Sequence, residues 1–156
     1  MKIARLTLSD RASAGIYEDR SGPEIERILG LAGFKEVEWV RLLMPDGRDE
    51  IEATLKDLCD RQACELILTT GGTGPSARDF SPEATKAVIE REFPGFGEVK
   101  RMQSFVKVPT SILSRSTAGT RGQSLIINLP GNPKAIGECL PLIIPAIIEA
   151  LKHLKE

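Results

Sequence analysis

The residues best suited to chemistry lie in a few short, glycine-punctuated segments, foremost Thr69-Thr70-Gly71-Gly72-Thr73-Gly74. Glycines accept backbone conformations closed to other residues and let N–H groups approach an anion closely, and the Thr70 and Thr73 hydroxyls are candidate extra donors. Just beyond stand Arg78 and Asp79. A fixed positive charge beside a carboxylate suits a phosphate together with a hard divalent cation such as Mg2+, which takes oxygen ligands from one or two carboxylates and from phosphates. Asp46, in Pro45-Asp46-Gly47, is a second carboxylate of this kind, although Asp in that tripeptide equally serves to shape a turn. Gly131-Asn132-Pro133-Lys134 reads as a helix start with Asn132 as cap, Pro133 in the first turn and Lys134 able to reach an anion. Arg115 and Arg121, among small polar residues, are candidate bidentate clamps for a carboxylate or phosphate, or else solvated arginines.

Several chemistries are excluded. A P-loop needs Gly-Lys-Ser/Thr where this chain continues Pro75-Ser76-Ala77-Arg78. Gly72 to Ala77 fits Gly-x-Gly-x-x-Ala only formally, because Pro75 removes a donor where a dinucleotide-binding helix would open. The single histidine, His153, sits in a C-terminal helical turn beside Lys152 and Lys155, which excludes histidine-based metal sites and Ser-His or Cys-His catalysis. Cys59, Cys64 and Cys139 have no disulfide or zinc spacing and are expected to be buried, reduced thiols. The 21 basic and 22 acidic side chains nearly cancel and form no long run, which argues against nucleic acid as partner. No apolar run reaches the roughly 20 residues of a membrane span, so a soluble, cytoplasmic protein is expected. What remains is carboxylates, glycine turns and arginines, an inventory suited to phosphoryl or nucleotidyl transfer.

Positioning such residues requires an alternating β-α chain of one domain, residues 1–156. Lys2 to Ser9 reads as a buried strand, followed by a loop over Ala12 to Arg20. Ser21-Gly22-Pro23-Glu24 is a capping-box helix start, with Gly33 as the stop. A second strand is expected over Glu36 to Met44, a helix over Asp49 to Arg61, and a central strand over Leu66 to Thr70. Ser81-Pro82-Glu83 predicts a capped helix running to about Arg91, and another covers Phe96 to Val106. Ser116 to Thr120 and Ser124 to Leu129 predict an antiparallel strand pair. The apolar spacing from Ile136 to Leu151 is helical, but Pro141 and Pro145 predict two pieces. With strands one, two, three and the last parallel, Ser9-Asp10-Arg11, Pro45-Asp46-Gly47, Gly71 to Asp79 and Pro130 to Lys134 all leave at the carboxyl edge, where open α/β sheets bind ligands.

In order along the chain, LSDRASAGIYEDRSGP, LTTGGTGPSARDFSPEAT, LSRSTAGTRG and LIINLPGNPKAI resemble the molybdopterin adenylyltransferases, the MogA/MoaB family that includes the G domain of gephyrin. The resemblance spans essentially the whole chain. TTGGTG also occurs in molybdenum-insertion and CinA-type domains, and its combination with the N-terminal Ser-Asp-Arg segment and PGNPKA favours the stand-alone enzyme. It implies a three-layer α/β/α fold with a mostly parallel mixed sheet, a homotrimer, and Mg2+-ATP-dependent adenylylation of the terminal phosphate of molybdopterin, with release of pyrophosphate. Molybdate insertion would then belong to a downstream partner enzyme.

The family's two functional aspartates fall on Asp46 and Asp79, implying catalytic and metal-handling roles for both. By the same resemblance Ser9, Asp10, Thr70 and Gly71 to Gly74, with Ser114, Arg115 and Gly131 to Lys134, would contact phosphate, pterin or nucleotide. Many family members carry an acid after the Pro-Asp pair, where Gly47 stands here, followed by Arg48, Asp49 and Glu50. Two competing readings are a molybdopterin-binding or scaffold paralogue without catalysis and a nucleotide-binding oxidoreductase. The second lacks an acid at the ribose distance.

Overall fold

Along the first strand, β1 (Lys2–Leu8), side chains alternate between two apolar surroundings, with Ile3 on one face and Ala4, Leu6 and Leu8 on the other. The same alternation recurs in β3 (Leu66–Thr70) and β6 (Ser124–Leu129). In the computed structural model, which describes all 156 residues, these three strands are the centre of a six-stranded sheet ordered β2-β1-β3-β6-β5-β4. Here β2 is Glu38–Met44, β4 Arg91–Glu92 and β5 Ala118–Arg121. The first four strands of that order run parallel, and β5 is antiparallel to both β6 and β4.

Both faces are covered. The helices α2 (Ser21–Leu31), α5 (Gly95–Phe105) and α6 (Pro133–His153) pack on the Ile3 side, and α3 (Arg48–Asp60) with α4 (Ser81–Val88) on the Leu6 side. This is the three-layer α/β/α arrangement, with a mostly parallel mixed sheet. Burial on both faces explains why β3 is a continuous apolar run rather than an alternating one. Leu68, fully buried there, would cost roughly 2–5 kcal/mol on truncation to Ala.

Register puts the strand ends in line, because Leu8 pairs with Met44, Thr7 with Thr70, and Thr70 with Leu129. From β1 the chain turns to one side for β2 and crosses to the other for β3, so the sheet's switch point lies between β1 and β3. That is where doubly wound sheets open a crevice.

Several sequence expectations need correction. Asp10–Ser13 forms a short helix, α1, capped by Ser9, where a loop was expected. The capping box at Ser21 and the cap at Ser81 do not form: each serine is the first residue inside its helix, with Arg20 and Phe80 at the cap positions. At α2 the Asp19 carboxylate accepts the Ser21 and Gly22 N–H groups instead, which frees the Ser21 hydroxyl for a tertiary bond. The α4 helix stops at Val88 rather than near Arg91, because Glu90 and Phe93 turn to bond β5 and create the two-residue edge strand β4.

Finally, α6 is one helix. Pro141 and Pro145 lie on its exposed side, while Leu140, Ile143, Ile144 and Ile147 stay packed against the core.

Candidate active site

Four loops meet where the parallel strands end, and their contacts explain the motif chemistry. Asp10 and Asp46 bind reciprocally: the Asp10 N–H donates to Asp46 Oδ2 at 3.1 Å, and the Asp46 N–H donates to Asp10 Oδ1 at 3.0 Å. Arg78 closes this pair, donating from Nε to Asp10 Oδ2 at 2.6 Å, from Nη2 to Oδ1 at 2.9 Å, and to the Asp46 carbonyl. The guanidinium and the Asp46 amide hold the Asp10 carboxyl below its ordinary range.

Asp46 is different. Its Oδ1 is buried and has no hydrogen-bond partner, and burial, together with the neighbouring Asp10 and Asp79 charges, raises its carboxyl above the usual range. An orphaned, desolvated carboxylate oxygen beside a second carboxylate is what an oxygen-seeking cation would relieve. Asp79 is anchored by the Ser76 N–H on Oδ2 at 3.0 Å. No group of three His, Cys, Asp or Glu is close enough to form a cage. The donor set therefore fits Mg2+ held by one or two carboxylates plus phosphate oxygens, rather than a resident structural metal.

The glycines are needed for contact as well as for turning. Gly71 has φ 94°, and a Cβ there would run into the Leu8 carbonyl. A Cβ on Gly74 would stand 2.9 Å from Asp79 Oδ2. The space that a side chain at Gly47 would take is filled by the Glu50 carboxylate, so an acid does stand at this corner although residue 47 is not one.

Two clefts flank the turn. One, of about 290 Å3, is lined by Ser9, Tyr17, Asp19, Asp46, Gly71, Gly72, Asp79 and Gly131. The other, of about 230 Å3, lies between α5 and α6 and is lined by Thr73, Lys100, Arg101, Ser104, Ser111, Ser114, Ser116 and Glu138. A larger cavity of about 480 Å3 sits at the opposite edge of the sheet around Met1, Phe34 and Leu151, remote from every motif.

Most sequence-selected residues converge here, but not all point at a ligand. Ser9 lines the first cleft and shares a 2.7 Å hydrogen bond with the Tyr17 hydroxyl. Thr70, expected as an anion donor, spends its hydroxyl on the Pro130 carbonyl at 2.6 Å. Arg115 binds inward, to the carbonyls of Gly74 at 3.0 Å and Asp79 at 2.8 Å and to Glu83, so it braces the glycine turn. Arg121 lies at the far end of β5, paired with Asp60 at 3.0 and 2.8 Å, and corrects the expectation that it could clamp a ligand. Asn132 caps α6 as expected, with its side chain on the Lys134 N–H at 2.8 Å, while the Lys134 side chain is exposed and lines neither cleft.

Other contributors were not singled out as site residues from the sequence. Asp19 accepts from the Thr7 hydroxyl at 2.9 Å and caps α2, and Ser21 donates to the Gly131 carbonyl at 2.6 Å, tying two loops together. Asn128 donates to the Thr69 and Thr85 hydroxyls at 3.0 and 2.8 Å in a fully buried network behind the turn. Lys100 was hidden inside the α5 pattern, where its spacing from Phe96 and Gly97 marks the inward stripe.

A glycine turn beside two carboxylates in a switch-point crevice marks an α/β protein with its ligand cleft at the carboxyl edge of the sheet. Comparison with known proteins narrows this. Residues 4–150 match the family model described as a probable molybdopterin binding domain. A molybdopterin adenylyltransferase of Helicobacter pylori is 52% identical over 145 residues, covering 93% of this chain and 82% of that protein. The crystal structure of the molybdopterin biosynthesis enzyme MoaB of Thermus thermophilus superposes with TM-score 0.88 at 38% identity, covering 98% of this chain and 95% of that one. MoaB of Pyrococcus furiosus, described as a tungsten cofactor synthesizing protein, gives TM-score 0.86 at 34% identity, covering 99% and 97%. The chain belongs to the molybdopterin adenylyltransferase family, MogA/MoaB.

Proposed function

We propose that the protein catalyses adenylyl transfer from ATP to the terminal phosphate of molybdopterin, with the ATP phosphates in the acidic cleft and the pterin in the cleft between α5 and α6. One observation carries the division of labour: Gly71 and Gly72 line the first cleft and Thr73 the second, so a single turn forms a wall of both. Reacting phosphates brought from the two sides would meet on its N–H groups.

In the reaction an oxygen of the molybdopterin phosphate attacks the α-phosphorus of ATP. A phosphoanhydride bond forms, the bond between the α-phosphorus and its bridging oxygen breaks, and pyrophosphate leaves with the electron pair. Asp46 Oδ1 and the Asp79 carboxylate would hold Mg2+, which supplies charge neutralisation for the triphosphate when bound. Asp10 and Arg78 keep Asp46 aimed, and Arg115 holds the turn in place from outside. Positioning and fixed charge do the remaining work, as in other phosphoryl-group transfers.

The partners follow from the family. Exposed apolar side chains on α5 and the segment after it, among them Met102, Phe105, Val106, Ile112 and Leu113, support self-association, and a homotrimer is expected. Insertion of molybdate falls to a downstream enzyme that receives the adenylylated pterin. No helix is long and apolar enough to cross a membrane, in keeping with a cytoplasmic site of action.

The test is direct. Purified protein with Mg2+-ATP and molybdopterin should yield adenylylated pterin and stoichiometric pyrophosphate. Tight pterin binding with no pyrophosphate release would instead identify a non-catalytic paralogue.

A further inference from the structure

Lys100 occupies a position where an amphipathic helix normally places an apolar residue. It is 4% exposed, on the inward stripe of α5 with Phe96 and Gly97. Its Nζ donates to the Asn128 main-chain carbonyl and forms no ion pair. The charged groups around it do not compensate it. Arg101, on the same helix, is turned to the Ser114 and Ser116 carbonyls at 3.3 and 2.8 Å. Glu138 of α6 lines the same cleft without pairing with any base, and the buried Cys139 thiol beside it is pushed up by desolvation and so is neutral.

Burying an ammonium with one neutral acceptor is unfavourable unless something repays the lost hydration. Burial pushes Lys100 down to about 8. Its remaining N–H donors border a cleft rich in hydroxyls and lacking an anion of its own beyond Glu138.

We propose that Lys100 is the specificity-determining residue of the α5–α6 cleft, its ammonium serving as the counter-charge for the terminal phosphate of the acceptor, molybdopterin. The inference rests on the reading of that cleft as the acceptor side. It adds that acceptor binding and protonation of Lys100 are linked: a phosphate dianion entering the cleft favours the charged lysine and raises its pKa, and a protein whose lysine has lost its proton binds the acceptor less well.

Molybdopterin binding is measured by fluorescence titration without ATP, on wild type, Lys100→Met and Lys100→Gln. The glutamine variant keeps a donor for the Asn128 carbonyl and removes only the charge. We expect affinity to fall about tenfold or more in both variants, the loss typical of one charge-assisted hydrogen bond. Wild-type affinity should also decline from pH 7 to 9 while the variants stay flat, and ATP affinity should not change. The free variants should melt no lower than wild type, since a costly buried charge has gone. Unchanged molybdopterin affinity in folded Lys100→Gln, or an equal pH slope in wild type and variant, overturns the proposal. Because the titration needs no turnover, it separates this inference from the transfer reaction, which fails if wild type binds both ligands and releases no pyrophosphate.

Discussion

The two clefts beside the glycine turn are built in opposite senses. One gathers Asp19, Asp46 and Asp79 and leaves a buried carboxylate oxygen without a partner. The other gathers hydroxyls around a buried lysine that lacks an anion. On the proposed reading the first would take positive charge and the second negative charge, so each holds a cost in the free protein that its own ligand would remove. The turn between them is held by Arg115, by Thr70 on Pro130 and by the network behind it. A braced backbone between two under-compensated chambers is a way to bring reactants together without spending ligand energy on ordering the protein.

The comparison can be broken most severely at the two carboxylates. Asp79→Asn and Asp46→Asn should each lower turnover by about 100-fold or more, measured as pyrophosphate release, with molybdopterin binding in the opposite cleft retained. Equal loss of both would mean that the chambers are not independent.

Next in size is the wall itself. Gly71→Ala places a Cβ at φ 94° against the Leu8 carbonyl, and should cost about 1–3 kcal/mol in denaturant unfolding as well as impairing both ligands. A variant as stable as wild type would show that the turn can relax.

Removal of Arg78, as Arg78→Met, should reduce kcat by about 10- to 100-fold with little change in melting temperature, the usual consequence of losing a group that aims another.

A smaller effect, of distinctive sign, is expected from Asp46 in the free protein. Its carboxyl is raised on folding, so its protonated form is the better tolerated one, and stability is lost as pH rises through the folded value. Asp46→Asn should therefore melt higher than wild type at neutral pH and lack that pH slope, and Mg2+ with ATP should narrow the gap by stabilising only the wild type. The smallest effect is Arg121→Met, which breaks a partly exposed pair with Asp60 at the far edge and should leave both the melting temperature and the kinetics close to those of wild type.

The legible part of this molecule was the part governed by periodicity and by short-range turn chemistry. The parallel strands, their shared carboxyl edge and the convergence of Asp10, Asp46, Gly71 and Gly131 follow from apolar runs ending in glycine, proline and aspartate. Capping was misread because Ser21 and Ser81 have the right type one position too late, and Asp19 satisfied the donors at α2. The two prolines in α6 misled because tertiary packing along the inward side holds one continuous helix despite the bonds they remove, and that packing is not visible in one sequence. The arginines were ambiguous by nature: Arg115 and Arg121 have similar small, polar neighbours in sequence, yet one braces the site and the other sits at the opposite edge. Lys100 left a faint signal, a charge on the inward stripe of a helix whose other inward residues are Phe96 and Gly97.

The seam between the loops also bears on how the chain reaches its working form. The hydrogen bond from Ser21 to Gly131 joins residues 110 apart in sequence, and that from Thr70 to Pro130 joins residues 60 apart. Contacts of such separation form late, after most of the loop-closure entropy has been lost. The first chamber draws its lining from Thr7 through Gly131 and the second from Thr73 through Cys139, so affinity for ligand should emerge only with completion of the sheet. A cell rich in both substrates would then hold this protein folded by mass action, and one starved of them would leave more of it open to proteolysis.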